Sequence, residues 1–220
     1  MSSNFSILST KKLTVAQKER VIRSGVGCIT YSAIDIELLN VVCDEKIQNA
    51  IFTSKNAVSA IESSEFKIQY CFCVGENTKK LLEEKGYNVI EMAQNASELG
   101  EIISKRYKNE EFCFFCGNLR RDELPSILKE NDISCKETVV YKTIIKSKKF
   151  HRTFDGILFF SPSGVQSYTT NNTIGDSVAF CIGTTTASEV KKYTDTIIIA
   201  NKPTVENVIV QAVKYFDKRI

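Results

Sequence analysis

Residues 52–58 read FTSKNAV, and residues 159–165 read FFSPSGV. In both stretches an apolar segment ends at a small hydroxyl residue, and apolar positions at helical spacing follow it. A serine or threonine directly before such a pattern is typical of a helix N-cap. Each stretch is therefore predicted to be a strand that passes through a short turn into a helix.

A second pair of similar stretches lies further along the chain at nearly the same offset. Residues 72–78 read FCVGENT and residues 180–186 read FCIGTTT, so the offset is 107 residues for the first pair (54 to 161) and 108 for the second (75 to 183). Residues 96–98 and 204–206 keep the offset of 108. Three matches in the same order indicate an internal duplication.

Strands that alternate with helices predict an α/β fold with parallel sheets and helices on both faces. The first repeat predicts five strands, at Ile51–Phe52, Tyr70–Val74, Asn88–Ile90, Phe112–Cys116 and Ser134–Tyr141. The second repeat predicts only three, near Ile157–Phe160, Val178–Ile182 and Thr196–Ile199. The N-terminus is predicted to supply the missing pair, at Phe5–Leu8 and Val26–Tyr31, around a helix at Val15–Ile22.

This arrangement predicts two similar parallel-sheet α/β domains, of which the first is discontinuous. Residues 1–40 and 144–220 form the discontinuous domain, and residues 41–143 form a domain inserted into it. The two crossings, near Asn40 and Thr143, are predicted to lie side by side as a double linker.

The composition is that of an ordinary globular protein, with 43% hydrophobic and 25% charged residues. A formal charge of +3 suits an anionic small molecule and is too weak to indicate a nucleic-acid surface. The sequence shows neither a signal peptide nor an apolar run long enough to cross a bilayer. It therefore predicts a cytoplasmic protein without nucleic-acid or membrane partners.

Most of the eight cysteines lie in apolar stretches and are predicted to be buried. Cys113 and Cys116 form a C-x-x-C, a spacing that occurs in zinc and redox sites. Here it falls on a predicted strand, where side chains three apart face opposite sides. The single histidine, His151, lies in a polar stretch predicted to be a solvated linker, so no metal is expected.

Ligands of open parallel sheets bind beyond the carboxyl ends of the strands. The predicted turns there are rich in glycine, serine and threonine, and backbone N–H groups at helix N-termini attract anions. Ordinary caps explain any one turn, but recurrence in both domains favours an anionic ligand held between them. The candidate binding residues are Thr53, Ser54, Gly75, Thr78, Gly117, Asn118, Ser161, Ser163, Gly164, Gly183, Thr185 and Thr186.

No motif of a cofactor enzyme accompanies these turns. The sequence contains neither G-x-G-x-x-G after its first strand nor a P-loop nor G-x-S-x-G. One histidine also leaves little room for a nucleophilic triad. The sequence therefore predicts no cofactor.

Residues 115–121 read FCGNLRR and are followed by Leu124-Pro125 and by VYKT at residues 140–143. This ordered set closely resembles the corresponding stretch of uroporphyrinogen-III synthases. FFSPSG at residues 159–164 and IGTTTA at residues 182–187 resemble two further family motifs, and the turns after residues 52 and 74 resemble their equivalents in the other domain. The resemblance covers about Ile51 to Val210; Lys11-Lys12 stand where members often carry an arginine.

The resemblance implies a cofactor-free lyase of haem biosynthesis. Such an enzyme closes hydroxymethylbilane, a linear tetrapyrrole with eight carboxylates, to uroporphyrinogen III with loss of water and inversion of the last pyrrole. Tyr141 is the candidate catalytic residue, because its hydroxyl can hydrogen-bond to the departing oxygen without ionising. A purely structural role for this tyrosine is the alternative. Positive side chains that could attract the substrate are Lys11, Lys12, Arg120, Arg121 and Lys142.

The duplicated domains are expected to form a complete cleft in a monomer, and closure of that cleft is a hypothesis for how the last pyrrole is oriented. The main alternative function is a two-domain protein that binds a small anion without catalysis. A response-regulator-like interaction module is a third possibility, but it predicts acidic residues at the strand ends, where this sequence is polar and neutral.

Overall fold

The computed structural model describes residues 5–41 and 46–218. That part of the chain contains eleven strands and eight helices. The strands are β1 (Phe5–Ser9), β2 (Val26–Thr30), β3 (Ile34–Leu38), β4 (Lys46–Phe52), β5 (Lys67–Val74), β6 (Val89–Ala93), β7 (Phe112–Gly117), β8 (Cys135–Ile145), β9 (Gly156–Phe159), β10 (Val178–Cys181) and β11 (Ile197–Ile199). The helices are α1 (Val15–Ile22), α2 (Lys55–Ala60), α3 (Glu76–Glu84), α4 (Ala96–Arg106), α5 (Glu123–Glu130), α6 (Pro162–Thr169), α7 (Thr184–Val190) and α8 (Val205–Asp217).

The described residues divide into two compact units. The discontinuous unit runs up to Asp35 and resumes at Ile144, and the inserted unit comprises Ile36–Thr143. The first boundary between the units therefore lies after residue 35, whereas the sequence predicted it near residue 40. The discontinuous unit holds a sheet of order β11-β10-β9-β1-β2, and the second sheet has the order β3-β8-β7-β4-β5-β6.

The N-terminal strands complete the first sheet, as predicted. β1 pairs in parallel with both β2 and β9, and β9 pairs in parallel with β10. The predicted helix between β1 and β2 has the predicted bounds, Val15–Ile22. It begins at a capping box in which Thr14 and Gln17 exchange side-chain and backbone hydrogen bonds, so local sequence alone determines where it starts.

Strand β3 was not among the predicted strands. The amide of Leu39 donates to Val140 and the amide of Lys146 donates to Ala33, so β3 and the end of β8 run antiparallel. The chain therefore passes between the units within two strands that are hydrogen-bonded to each other. This pairing also extends β8 to Ile145, whereas the sequence predicted that the strand ends at Tyr141.

Apart from β3 at the edge of the second sheet, the two sheets have the same strand order when each is counted from its duplicated strand. With β4 and β9 taken as first, both read third, second, first, fourth, fifth. In this correspondence β7 matches β1 and β8 matches β2. The offset of 107 to 108 residues therefore reflects two copies of one α/β topology, with the last two strands of one copy supplied by the N-terminus.

Helices cover both faces of each sheet, because the central strands alternate between two cores. On β7, Cys113 and Phe115 belong to the core beneath α2 and α3, whereas Phe114 and Cys116 belong to the core beneath α4 and α5. The two cysteines of the C-x-x-C therefore point to opposite faces, as predicted. Cys71, Cys73, Cys113, Cys116 and Cys181 are all buried.

Candidate functional site

Each sheet has one place where its helices change sides. In the inserted unit, α2 and α3 pack on one face while α4 and α5 pack on the other, so the change falls between β4 and β7. In the discontinuous unit, α6 and α7 pack opposite α1 and α8, so the change falls between β9 and β1. Such switch points leave a crevice beyond the carboxyl ends of the two strands, where α/β proteins bind ligands.

The serines after β4 and β9 cap the helices that follow. Ser54 Oγ accepts a hydrogen bond from the Asn56 amide at 3.2 Å, and Ser161 Oγ accepts one from the Gly164 amide at 3.1 Å. Both serines, and their neighbours Thr53 and Ser163, are half-buried. The caps satisfy one amide each and leave other first-turn N–H groups at the switch points.

The turns after β5 and β10 begin helices without a side-chain cap. Gly75 has φ +84°, which favours glycine, while Gly183 is extended. Thr78 and Thr186 correspond to each other in the two units, and both are buried, at 5% and 2% exposure. The exposed hydroxyls in this pair of turns are those of Thr184 and Thr185, whereas Thr78 and Thr186 are turned into the packed interior.

The turn after β1 completes the switch point of the discontinuous unit. Thr10 is buried and its hydroxyl donates to the Leu158 carbonyl at 2.8 Å. A Cβ atom on Gly164 would lie 3.2 Å from Thr10 Oγ1, so the turns after β1 and β9 touch there. Lys11 and Lys12 are exposed, which brings two positive charges to this turn.

The turn after β7 lies against Tyr141 of β8. Gly117 is paired with Tyr141 across a β-bulge, and a Cβ atom at Gly117 would lie 2.5 Å from Tyr141 Cε2 and 2.8 Å from its hydroxyl oxygen. The tyrosine ring therefore lies over the glycine, and only glycine leaves room for it. Tyr141 is half-buried, and its hydroxyl has no hydrogen-bond partner among the described residues.

Asn118 and Arg120 both bond to protein groups near this tyrosine. Asn118 Oδ1 accepts from the Thr143 amide at 2.8 Å, and Arg120 forms ion pairs with Asp122 and Glu137. Hydrogen bonds to Asp122 and then Glu137 raise the pKa of Arg120. Of the positive residues predicted near the substrate, Arg121 and Lys142 are exposed, whereas Arg120 is largely engaged.

The described residues contain no group of three or more metal-ligating side chains. Burial raises the pKa of Cys116 to about 11 and that of Cys71 to about 12, which disfavours the thiolate that metal binding and redox chemistry require. His151 is exposed, in agreement with its predicted place in a linker.

A family model described as uroporphyrinogen-III synthase HemD matches residues 17–209. The chain belongs to the uroporphyrinogen-III synthase family. The match begins well before Ile51, so it includes β2 and β3, whereas β1 and Lys11-Lys12 precede it. Members of this family are enzymes of haem biosynthesis that convert hydroxymethylbilane to uroporphyrinogen III, and this is the function of the chain.

Solved structures of uroporphyrinogen-III synthases share the fold. The enzyme of Helicobacter pylori is 19% identical with a TM-score of 0.71, over 96% of this chain and 99% of that one. A mutant of the Thermus thermophilus enzyme is 10% identical with a TM-score of 0.71, over 98% of this chain and 100% of that one. At such identities the likeness shows the fold, while the family model shows the function.

A search of curated protein sequences returned no significant match. Among the described residues, no helix is both long and apolar enough to cross a membrane. The predicted alternative, an anion-binding protein without catalysis, is not favoured by the family match.

Proposed function

We propose that the chain acts as a lyase whose reaction is dehydrative ring closure. The C–O bond of the hydroxymethyl group breaks, its hydroxyl leaves with a proton as water, and a C–C bond forms to the substituted position of the last pyrrole. Rearrangement through a spiro intermediate then inverts that ring. The family match over residues 17–209 supports the overall reaction, and the placement of Tyr141 supports the first step.

Tyr141 is proposed to hydrogen-bond to the departing hydroxyl. Its phenol lies at the carboxyl end of the sheet, beside the switch point of the inserted unit, and its O–H is not used by another described residue. A neutral phenol can donate to a leaving oxygen without first losing its own proton. The lone hydroxyl is the single observation that favours a chemical role for Tyr141 over a structural one.

The glycine, serine and threonine turns of both units are proposed to bind substrate carboxylates. Backbone N–H groups in the first turns of α2, α3, α6 and α7 are the donors, and the capping serines fix the direction of those in α2 and α6. Exposed Lys11 and Lys12 add positive charge in the discontinuous unit. A cofactor-free, monomeric, cytoplasmic enzyme without nucleic-acid or membrane partners stays a prediction.

The test is to incubate the purified chain with freshly generated hydroxymethylbilane, oxidise the products and separate the type I and type III isomers. We expect mostly type III, which a protein-free control does not form. Type I alone, together with saturable binding of the bilane, would instead support a binding protein that lacks the proposed chemistry.

A further inference from the structure

Asn118 fastens the turn after β7 to the backbone of β8. Its Oδ1 accepts from the Thr143 amide at 2.8 Å, its Nδ2 lies 3.5 Å from the Thr143 carbonyl oxygen, and its own amide donates to the Tyr141 carbonyl at 3.2 Å. The side chain is exposed, yet both of its polar atoms face Thr143. These contacts lie directly around Tyr141.

Two neighbours of Asn118 strengthen the same attachment. Gly117 permits the Tyr141 ring to lie over the turn, since any Cβ atom there would collide with it. Arg120 links the turn to β8 a second time through Glu137. Tyr141 is thus held at the bulged end of the β7–β8 pair by contacts on both sides of its position.

Asn118 offers a carboxylate ligand one N–H at most. Its amide oxygen accepts from the Thr143 amide, and one of the two N–H groups of Nδ2 is directed at the Thr143 carbonyl oxygen, 3.5 Å away. The side chain is well placed to set the backbone of residues 141–143 instead. Asn118 was predicted as a ligand because it lies in a turn after a strand, and that same place accounts for its exposure.

We propose that Asn118 is a positioning residue for Tyr141 and not a ligand of the substrate. The inference rests on the proposed role of Tyr141 in ring closure. Loss of the Thr143 contact moves the tyrosine relative to the leaving hydroxyl, and small misplacements of a reacting group are costly in rate. The substrate carboxylates are bound elsewhere, so their affinity is unaffected.

Two substitutions separate positioning from substrate binding. Asn118→Asp keeps the oxygen that accepts from the Thr143 amide but adds a negative charge, whereas Asn118→Ala removes the contact without adding charge. Positioning predicts that kcat falls about tenfold in the alanine variant and less than about threefold in the aspartate variant, with KM nearly constant in the alanine variant. If Asn118 instead bound a substrate carboxylate directly, the aspartate variant would be impaired more than the alanine variant and would have the higher KM.

Asn172→Ala is the matched control. Asn172 Oδ1 accepts from the Phe150 amide at 2.8 Å and its Nδ2 donates to the carbonyls of Lys148 and Tyr168, so this asparagine also braces a loop, but in the discontinuous unit. We expect a similar loss of thermal stability and no change in kcat. A fall in kcat equal to that of Asn118→Ala would show a general effect of lost stability.

A spectroscopic measurement without substrate tests the position of Tyr141 independently of activity. The chain is labelled with 3-fluorotyrosine, and the Tyr141 signal is assigned by its loss in Tyr141→Phe. Asn118→Ala should shift or broaden that ¹⁹F signal, and Asn118→Asp and Asn172→Ala should leave it in place. An unchanged Tyr141 signal in Asn118→Ala would overturn the positioning role, even if the unmodified chain forms type III product. If Asn118→Ala shifts the signal but the unmodified chain forms no type III product, the positioning role stands and only the proposed chemistry is refuted.

Discussion

Tyr31 and Tyr141 lie at corresponding places in the two units and have opposite surroundings. Each is on the fifth strand of its sheet or just beyond it, beside the carboxyl end of the fourth. Tyr31 is 9% exposed, packs edge-on against Phe150 with ring centroids 5.2 Å apart, and shares a hydrogen bond with Ser167. Tyr141 is half-buried over Gly117.

The residue beside each tyrosine differs between the units. In the discontinuous unit Leu8 of β1 faces the same core as Tyr31, so the residue in the place of Gly117 is Thr10, whose side chain donates to the Leu158 carbonyl at 2.8 Å. In the inserted unit it is Gly117, which leaves its space to the tyrosine ring. After duplication, one tyrosine therefore stabilises a core while the other presents its hydroxyl at a switch point.

Among the substitutions that leave both tyrosines in place, the largest expected effect is that of Gly117→Ala on activity. The new methyl group would occupy the space of the Tyr141 ring, so we expect kcat to fall by about tenfold or more. Gly100→Ala is the steric control in the same unit, because its Cβ atom would lie 2.8 Å from Ile127 Cγ2, remote from the tyrosine. Equal losses of kcat in both variants would contradict the specific role of Gly117.

Tyr31→Phe should affect stability where Tyr141→Phe does not. The Tyr31 hydroxyl is buried and bonded to Ser167, so its removal should lower the free energy of unfolding by about 1 kcal/mol. Removal of the half-exposed Tyr141 hydroxyl should change it by less than about 0.5 kcal/mol. Urea unfolding of the two variants measures both changes in the free energy of unfolding. Equal destabilisation would contradict the different surroundings of the two hydroxyls.

The capping serines should behave alike in the two units. Ser54→Ala and Ser161→Ala each remove an N-cap bond and should each destabilise the chain by about 1 kcal/mol. If the turns bind carboxylates, both variants should also raise KM more than they lower kcat. Ser163→Ala, which removes no cap, provides the stability control. A rise in KM for one serine only would restrict carboxylate binding to one unit.

The smallest effect concerns two corresponding cysteines. Burial raises the pKa of Cys73 to about 11 and that of Cys181 to about 12, from 9.0. Their contribution to stability is present below pH 9 and is lost as the pH rises through those values, because the unfolded chain releases these protons first. The free energy of unfolding should therefore fall above pH 9, less steeply in Cys73→Ala and Cys181→Ala. If the free energy of unfolding falls equally steeply with pH in these variants and in the unmodified chain, other groups cause the decrease.

The duplicated topology could be predicted because its signal is local and repeated. Apolar strands, hydroxyl caps and glycines recur at one offset, and the deficit of strands in the second repeat pointed to the N-terminus. Strand β3 was missed although its residues IDIEL alternate between apolar and charged, which is typical of a half-exposed strand; the run is short, has no counterpart in the other repeat, and pairs only with the distant end of β8.

The site was predicted as a set of turns, but the roles within the set depend on packing. Sequence spacing cannot show that Thr78 and Thr186 turn into the core, or that Asn118 faces Thr143. Nor can it show that Arg120 is held by two carboxylates rather than left for a substrate. These facts arise from contacts between strands that are distant in the chain.

The most direct test of the account compares the rate of type III isomer formation in Tyr141→Phe and Tyr31→Phe at equal concentrations of folded protein. Loss of the hydroxyl that assists departure of water should slow Tyr141→Phe by about a hundredfold, within the range of general acid catalysis, and Tyr31→Phe should stay within about twofold of the unmodified chain. Equal rates for the two variants, or a larger loss in Tyr31→Phe, would contradict the assignment of the chemistry to the inserted unit's tyrosine.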